Sequence, residues 1–287
     1  MTVNHPKTLL ASVMSLTLLA CSSSDDSADE NSSSSTFTKF GIIDIVDPEA
    51  NNTLEMTAVF FETDTPILLS NITAVNTPPS MNTDSCELEI SSDSTTDVIS
   101  FIDNPDTQVT PISAGDIITI TGTPGTVAEL SESATTFGIG YFGDSTLGET
   151  DSTGLVADIP GSAFPAFLSI AIPDVEPFVL TSEMSQFGTE IDATFTWTPS
   201  ATPESYVTLY TDVNQATLTP STPEVIQHIV LDCILVDDGS FELPQAIQSQ
   251  LTDAGVNSLP VNIGREAVNI VQQADVVVIA TRSSGDI

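Results

Sequence analysis

Ser145, His228, three closely spaced glycines and a large stock of carboxylates are the residues whose types could do chemistry in this chain. A serine becomes a nucleophile only when a base within hydrogen-bond reach takes its proton, and histidine is the usual base. Beyond Ala20 the sequence holds one histidine, His228, with Glu224 four positions before it. A lone imidazole at the head of an apolar stretch has no second histidine with which to hold zinc, so His228 is expected at an edge or on the surface. Gly138, Gly140 and Gly143 spell Gly-x-Gly-x-x-Gly. That pattern cradles a pyrophosphate only when a helix follows and offers its N–H groups and dipole. Here the turn-rich, acidic stretch Asp144 to Gly154 follows, and close backbone packing within a strand is the expectation. Calcium is the one cofactor the composition permits, and Asp44, Asp47, Asp103, Asp106, Asp237 and Asp238 are its candidate ligands. None stands in a loop with fixed ligand positions around a glycine, and Asp238-Gly239 reads instead as a hairpin turn.

Phe142-Gly143-Asp144-Ser145 resembles the nucleophile block of the GDSL-type esterases. The resemblance implies an α/β fold and a C-terminal Asp-x-x-His, whose histidine would activate Ser145. The residues before His228 do not supply that spacing, so Gly143 and Asp144 are expected in a turn between strands with Ser145 inert. The chain is therefore not expected to be an enzyme. The alternative is a secreted hydrolase, of esterase or glycosidase type, that uses Ser145 or a carboxylate pair.

Forty Asp and Glu stand against four Lys and Arg in 287 residues, a formal charge of −36. Phosphate binding needs cations, so nucleic acid is not an expected partner. A hydrophobic fraction of 40% is too high for a wholly disordered polymer. No apolar run reaches the roughly 18 residues of a spanning helix.

The N-terminal residues carry an address. Lys7 precedes the apolar run Leu9 to Ala20, which ends in Leu18-Leu19-Ala20-Cys21. This resembles a bacterial lipobox, a signal peptide whose small residue stands just before a lipidated cysteine. The resemblance implies cleavage after residues 1–20, a diacylglycerol on the Cys21 thiol, and acylation with chains such as palmitate. Ser22 stands where an aspartate would signal inner-membrane retention, which places the lipoprotein in the outer membrane, on either its periplasmic or its surface face. Cleavage removes one cation and no acid, −36 − 1 = −37, and leaves Lys39, Arg265 and Arg282. Residues 21–36, the lipidated cysteine and a Ser/Asp-rich run, read as a disordered tether.

Beyond the tether, short apolar runs alternate with Pro, Gly, Asn and Asp clusters, the pattern of an all-β body. Strands are predicted at 40–46, 54–61, 86–90, 116–121, 136–142, 167–172, 192–197, 206–210, 228–236, 267–271 and 275–281. One helix is predicted from Pro244 to Asp253, stopped by Gly255. Length suggests two β-sandwich domains, residues 37–185 and 186–287. Ile191 to Tyr210, through Trp197 and Tyr206, resembles the opening of fibronectin type III and immunoglobulin-like domains, and the resemblance implies an immunoglobulin-like sandwich there. Cys233 to Pro244 (CILVDDGSFELP) is similar to a segment of uncharacterised secreted bacterial β proteins. Alternation puts Phe195 and Trp197 on one inward face. Cys86 and Cys233, in an oxidising compartment, either form a disulfide or lie buried singly. The expected function is non-catalytic: a membrane-anchored envelope lipoprotein whose β-sandwich surfaces meet an envelope protein or a glycan.

Overall fold

A computed structural model describes residues 36–48, 53–69, 84–91, 107–123, 125–135, 138–145, 153–181, 186–188, 194–201, 205–214, 228–256 and 258–286. The expected signal peptide, Cys21 and the tether up to residue 35 lie outside them, as do Asp103 and Asp106. The described chain is almost entirely β. Its strands are β1 (Thr36–Pro48), β2 (Glu55–Leu68), β3 (Ser85–Ser91), β4 (Val109–Pro111), β5 (Ile117–Thr123) and β6 (Gly125–Thr135). There follow β7 (Gly138–Asp144), β8 (Thr153–Ile159), β9 (Phe167–Ala171), β10 (Gln186–Gly188), β11 (Thr194–Thr196) and β12 (Tyr206–Asn214). The last are β13 (His228–Val236), β14 (Ser240–Glu242), β15 (Ser258–Pro260), β16 (Asn262–Gln273) and β17 (Val276–Asp286).

Thirteen of these strands form one sheet in the order β3-β13-β12-β16-β17-β1-β2-β7-β6-β5-β8-β9, with β4 paired to β2. Every pairing is antiparallel except β1 with β17. Strands from both sides of residue 186 alternate in this sheet: β1 pairs with β17, and β3 pairs with β13. Two small ladders, β10–β15 and β11–β14, lie outside it.

Period-two alternation assigns the two faces. On one face the sheet curls so that Ile43, Met56, Ile118, Leu130, Ala157 and Val278 share a core. Farther along the same face, Leu209, Leu231, Cys233 and Ile263 pack beneath Phe178, Trp197 and the helix α1 (Gln245–Asp253). The opposite face buries Phe37, Phe40, Phe61, Val277 and Ile279. β1 and β17 are therefore covered on both sides, which is why Phe40 to Val46 and Val276 to Ala280 read as nearly continuous apolar runs. α1 follows the local signals closely. Pro244 precedes it at φ −54°, Ile247 and Leu251 one turn apart supply the buried stripe, and Gly255 at φ +77° ends it.

Candidate functional site

Among the described residues, the densest polar constellation is built around Arg265. Alternation along β16 aims Ile263 and Arg265 into the core beneath α1, and the guanidinium is only 1% exposed. Buried so deeply, a cation must find a partner for each N–H, because an unpaired charge in that setting costs several kcal/mol. Arg265 does so completely. Its Nε donates to Asp237 Oδ2 at 2.6 Å, and its Nη2 to Asp237 Oδ1 at 3.1 Å and to the Thr198 carbonyl at 2.6 Å. Its Nη1 donates to the carbonyls of Glu176 at 3.1 Å and Pro177 at 2.8 Å. The Phe178 ring lies 5.6 Å from its Cζ. All five donors of the fork are engaged.

Asp237 is as fully used. Trp197 Nε1 donates to its Oδ1 at 2.8 Å and Ser205 Oγ to its Oδ2 at 3.1 Å. Burial pushes this carboxyl up, but the Arg265 hydrogen bonds and charge, with Trp197 and Ser205, outweigh burial and hold it below the ordinary value. An arginine so saturated has nothing left to clamp a substrate carboxylate or phosphate. The constellation instead fastens residues 176–178, Thr198 and the bend after β13 to the sheet.

The other two cations of the body act on the same crossing segment. Lys39 Nζ donates to the Ala163 carbonyl at 2.7 Å and lies 3.5 Å from Glu62. Arg282 Nη1 is 3.5 Å from Asp174 Oδ1. From β1, β16 and β17, the three cations thus pin the stretch 163–177 across the sheet.

The residues that drew attention in the sequence are scattered. Gly143 and Asp144 do not form the expected turn; they continue the strand of Phe142 within β7, where Gly143 pairs with Met56. A Cβ on Gly143 would come within 2.9 Å of the Glu129 carbonyl, so the glycine serves close strand packing. Ser145 follows β7, is 1% exposed, and its N–H donates to the Leu54 carbonyl at 3.0 Å. Gly138 and Gly140 lie on the same strand. His228 opens β13, half-buried between Ser91 and Asn214. Asp238-Gly239 is likewise not a hairpin, because β13 runs on into β14, which pairs with β11. Gly239 takes φ +99° at that bend, and Asp238 Oδ1 accepts the Ser240 N–H at 3.1 Å. Of the candidate calcium ligands, Asp44 and Asp47 lie on β1, Asp237 is engaged by Arg265, and Asp238 serves the bend. Among the described residues no three His, Cys, Asp or Glu side chains gather as a metal site. Cys86 and Cys233 are joined by a disulfide between β3 and β13.

Two groups had no sequence signal. Ser113, Glu132 and Tyr141 meet where the loop before β5 crosses β6 and β7. The Tyr141 hydroxyl accepts the Ala114 N–H at 2.8 Å and lies 2.9 Å from Glu132, a clamp on the loop. Hydrogen bonds from Ser113 and then Tyr141 hold the Glu132 carboxyl below its usual range.

The second group is a row of acids on the sheet face opposite Arg265. Glu87 on β3 stands directly across from Asp232 on β13, Glu266 on β16 across from Tyr206 on β12, and Asp44 on β1 across from Thr281 on β17. Burial raises Asp44, partly offset by the hydroxyl of Thr281, 2.7 Å away. Burial, then the charge of Glu266, pushes the Tyr206 phenol well above its ordinary value. Burial, then the charge of Glu87, pushes Asp232 up to about 6. Only strand register brings these residues together.

The row has a consequence for pH. Folded Asp232 holds its proton more tightly than the unfolded chain does, so stability is lost as pH rises from about 4 through about 6. At about 1.4 kcal/mol per pH unit, this amounts to about 3 kcal/mol at most. Asp232→Asn is therefore expected to stabilise the protein by about 1–3 kcal/mol at pH 7.5 and to change little near pH 4. Urea midpoints at the two pH values measure it. Equal midpoints for the variant and the parent at pH 7.5 would remove Asp232 from the account.

No protein-family model, no characterised protein and no solved structure matches this chain.

Proposed function

We propose that the chain is a non-catalytic envelope lipoprotein, anchored in the outer membrane through acylated Cys21, that holds out a rigid β body for binding a protein or glycan partner. One observation carries this reading: among the described residues, the cations and the polar cluster around Arg265 are spent on the fold. Arg265, Lys39 and Arg282 pin the crossing segment, and Asp237, Trp197 and Ser205 complete the Arg265 network. The Cys86–Cys233 disulfide supports an oxidising compartment such as the envelope. The anionic exterior is repelled by anionic lipid and supports acyl chains as the membrane contact. The finer picture of two immunoglobulin-like sandwich domains, residues 37–185 and 186–287, belongs to this proposal; two hydrophobic cores on one face of the sheet support two packing units, and each core draws residues from both sides of residue 186.

The anchor is tested in cells fed an alkyne-bearing palmitate analogue. The parent protein is expected to take up label and to fractionate with outer membranes. Cys21→Ala is expected to take up none and to remain unprocessed or soluble. Label and membrane association that persist in Cys21→Ala reject the anchor.

A further inference from the structure

The two ends of the large sheet are finished differently. β9 closes one end and is blunted. Its pairing with β8 slips between Ala157 and Ile159, so Leu168 and Ser169 together face Asp158 as a bulge. Ser169 sits at φ +56°, and its N–H is taken by Asp158 Oδ1 at 2.7 Å. The Ala171 carbonyl is taken by Asn269 Nδ2 at 2.7 Å. Bulges and occupied backbone groups are how edge strands are kept from pairing with other chains.

Among the described residues, β3 closes the other end without such devices. Its seven residues keep unbroken register with β13 from Ser85 to Ser91. The disulfide clips it at Cys86, and Asp84 Oδ1 accepts the Val236 N–H at 2.9 Å. The Cα atoms of Cys86 and Cys233 are 4.1 Å apart, the narrow kind of antiparallel pair whose members do not bond to each other. The N–H and C=O of Cys86 therefore point away from β13, and by the period of two so do those of Leu88 and Ile90. Among the described residues β3 pairs only with β13, so these groups face outward from it. Glu87 and Glu89 alternate with them and are exposed. Glu87 also opposes Asp232, and no ion pair among the described residues includes Glu87, Glu89 or Asp232.

We propose that the outer edge of β3 is a strand-addition site for an extended partner segment with cationic side chains at alternate positions. The proposal rests on the presenter reading above and names the surface and the partner's chemistry. Backbone bonds to Cys86, Leu88 and Ile90 give the ladder, as in other complexes that add a strand to a sheet. Lys or Arg opposite Glu87 and Glu89 gives the charge match, which is worth most where like charges already face each other. The disulfide holds the edge in its binding geometry before the partner arrives, so little ordering is left to oppose association. A second copy of this chain does not fit: antiparallel pairing of two β3 edges would set their carboxylates against one another, on chains of formal charge −36.

The test uses the full-length protein in detergent at about 0.15 M salt, where long-range attraction is screened. The probe is a short fluorescent peptide alternating lysine with valine. It is expected to bind, and the same peptide with every backbone nitrogen methylated, its charge unchanged, is expected to bind at least about tenfold more weakly. Glu87→Lys/Glu89→Lys is expected to lose the lysine peptide and to gain one alternating glutamate with valine. Leu88→Pro deletes an outward N–H while leaving the bonds to β13 and is expected to weaken binding; Leu88→Val, which trims the same core-packed side chain but keeps that N–H, is expected to bind as the parent does. Equal binding of the methylated peptide, no binding of either, no effect of the charge reversal, or dimers in sedimentation would each overturn the assignment. With Cys21 still labelled by the palmitate analogue, those results reject the edge and leave the anchored-presenter reading standing.

Discussion

Arg265→Met is expected to destabilise the whole body by about 3–5 kcal/mol, the cost of stranding a buried partner charge. The substitution leaves the buried Asp237 facing Trp197 and Ser205 with no counter-charge, and it frees the carbonyls of Glu176, Pro177 and Thr198 inside the protein. Arg265→Lys is expected to rescue little, because an ammonium cannot reproduce five donors in a planar fork. Arg265→Met combined with Asp237→Leu should recover part of the loss, since removing both charges is far cheaper than removing one. β16 lies in the middle of the sheet shared by the two cores, so the loss should appear as one transition. Trp197 is the only tryptophan, and its fluorescence reports the core beneath α1. Far-ultraviolet circular dichroism reports the whole sheet. Coincident, equally shifted curves are expected, and a shift in fluorescence alone would show that the two cores unfold separately.

Removing the Cys86–Cys233 bridge is expected to cost about 2–5 kcal/mol. The bridge spans 147 residues of sequence, a long loop whose closure greatly restricts the unfolded chain. Cys86→Ala/Cys233→Ala should show the loss in urea and also loosen β3, which among the described residues pairs only with β13. Amide exchange of Glu87 and Glu89 should accelerate in the double variant well before that of β16 or β17. Unchanged exchange in β3 would mean that its pairing is self-sufficient and that the bridge is incidental to the edge.

How far the sequence discloses this molecule depends on which contacts are local. α1 is legible because Pro244, Ile247, Leu251 and Gly255 act within a few residues of one another. β13 is legible because Ile229, Leu231, Cys233 and Leu235 alternate without interruption on one buried face. β6 is not, since only Ala128 and Leu130 of Gly125–Thr135 are buried apolar residues, and Glu129, Ser131, Glu132 and Ser133 read as loop. β8 sits behind an acidic, turn-rich stretch that hides its start at Thr153. Phe195 and Trp197 share an inward face as their alternation implies, yet the hydrogen bond from Trp197 to Asp237 spans forty residues and leaves no local mark. The same holds for Arg265. One cation on an apolar strand carries no hint that Glu176, Pro177, Thr198 and Asp237 converge on it, because that meeting depends on how β12, β13 and β16 are ordered. The interleaving of β1 and β3 with strands from beyond residue 186 is equally invisible, for strand order is set by tertiary packing and not by any one strand's composition.

The mass of the intact protein extracted from membranes tests the anchored-presenter account most directly. The expected species lacks residues 1–20, begins at Cys21, and carries a diacylglycerol on the thiol together with further acyl mass. It is also lighter by the two hydrogen atoms lost in forming one disulfide. A membrane-extracted species that retains residues 1–20, or that carries an unmodified Cys21, would contradict the account.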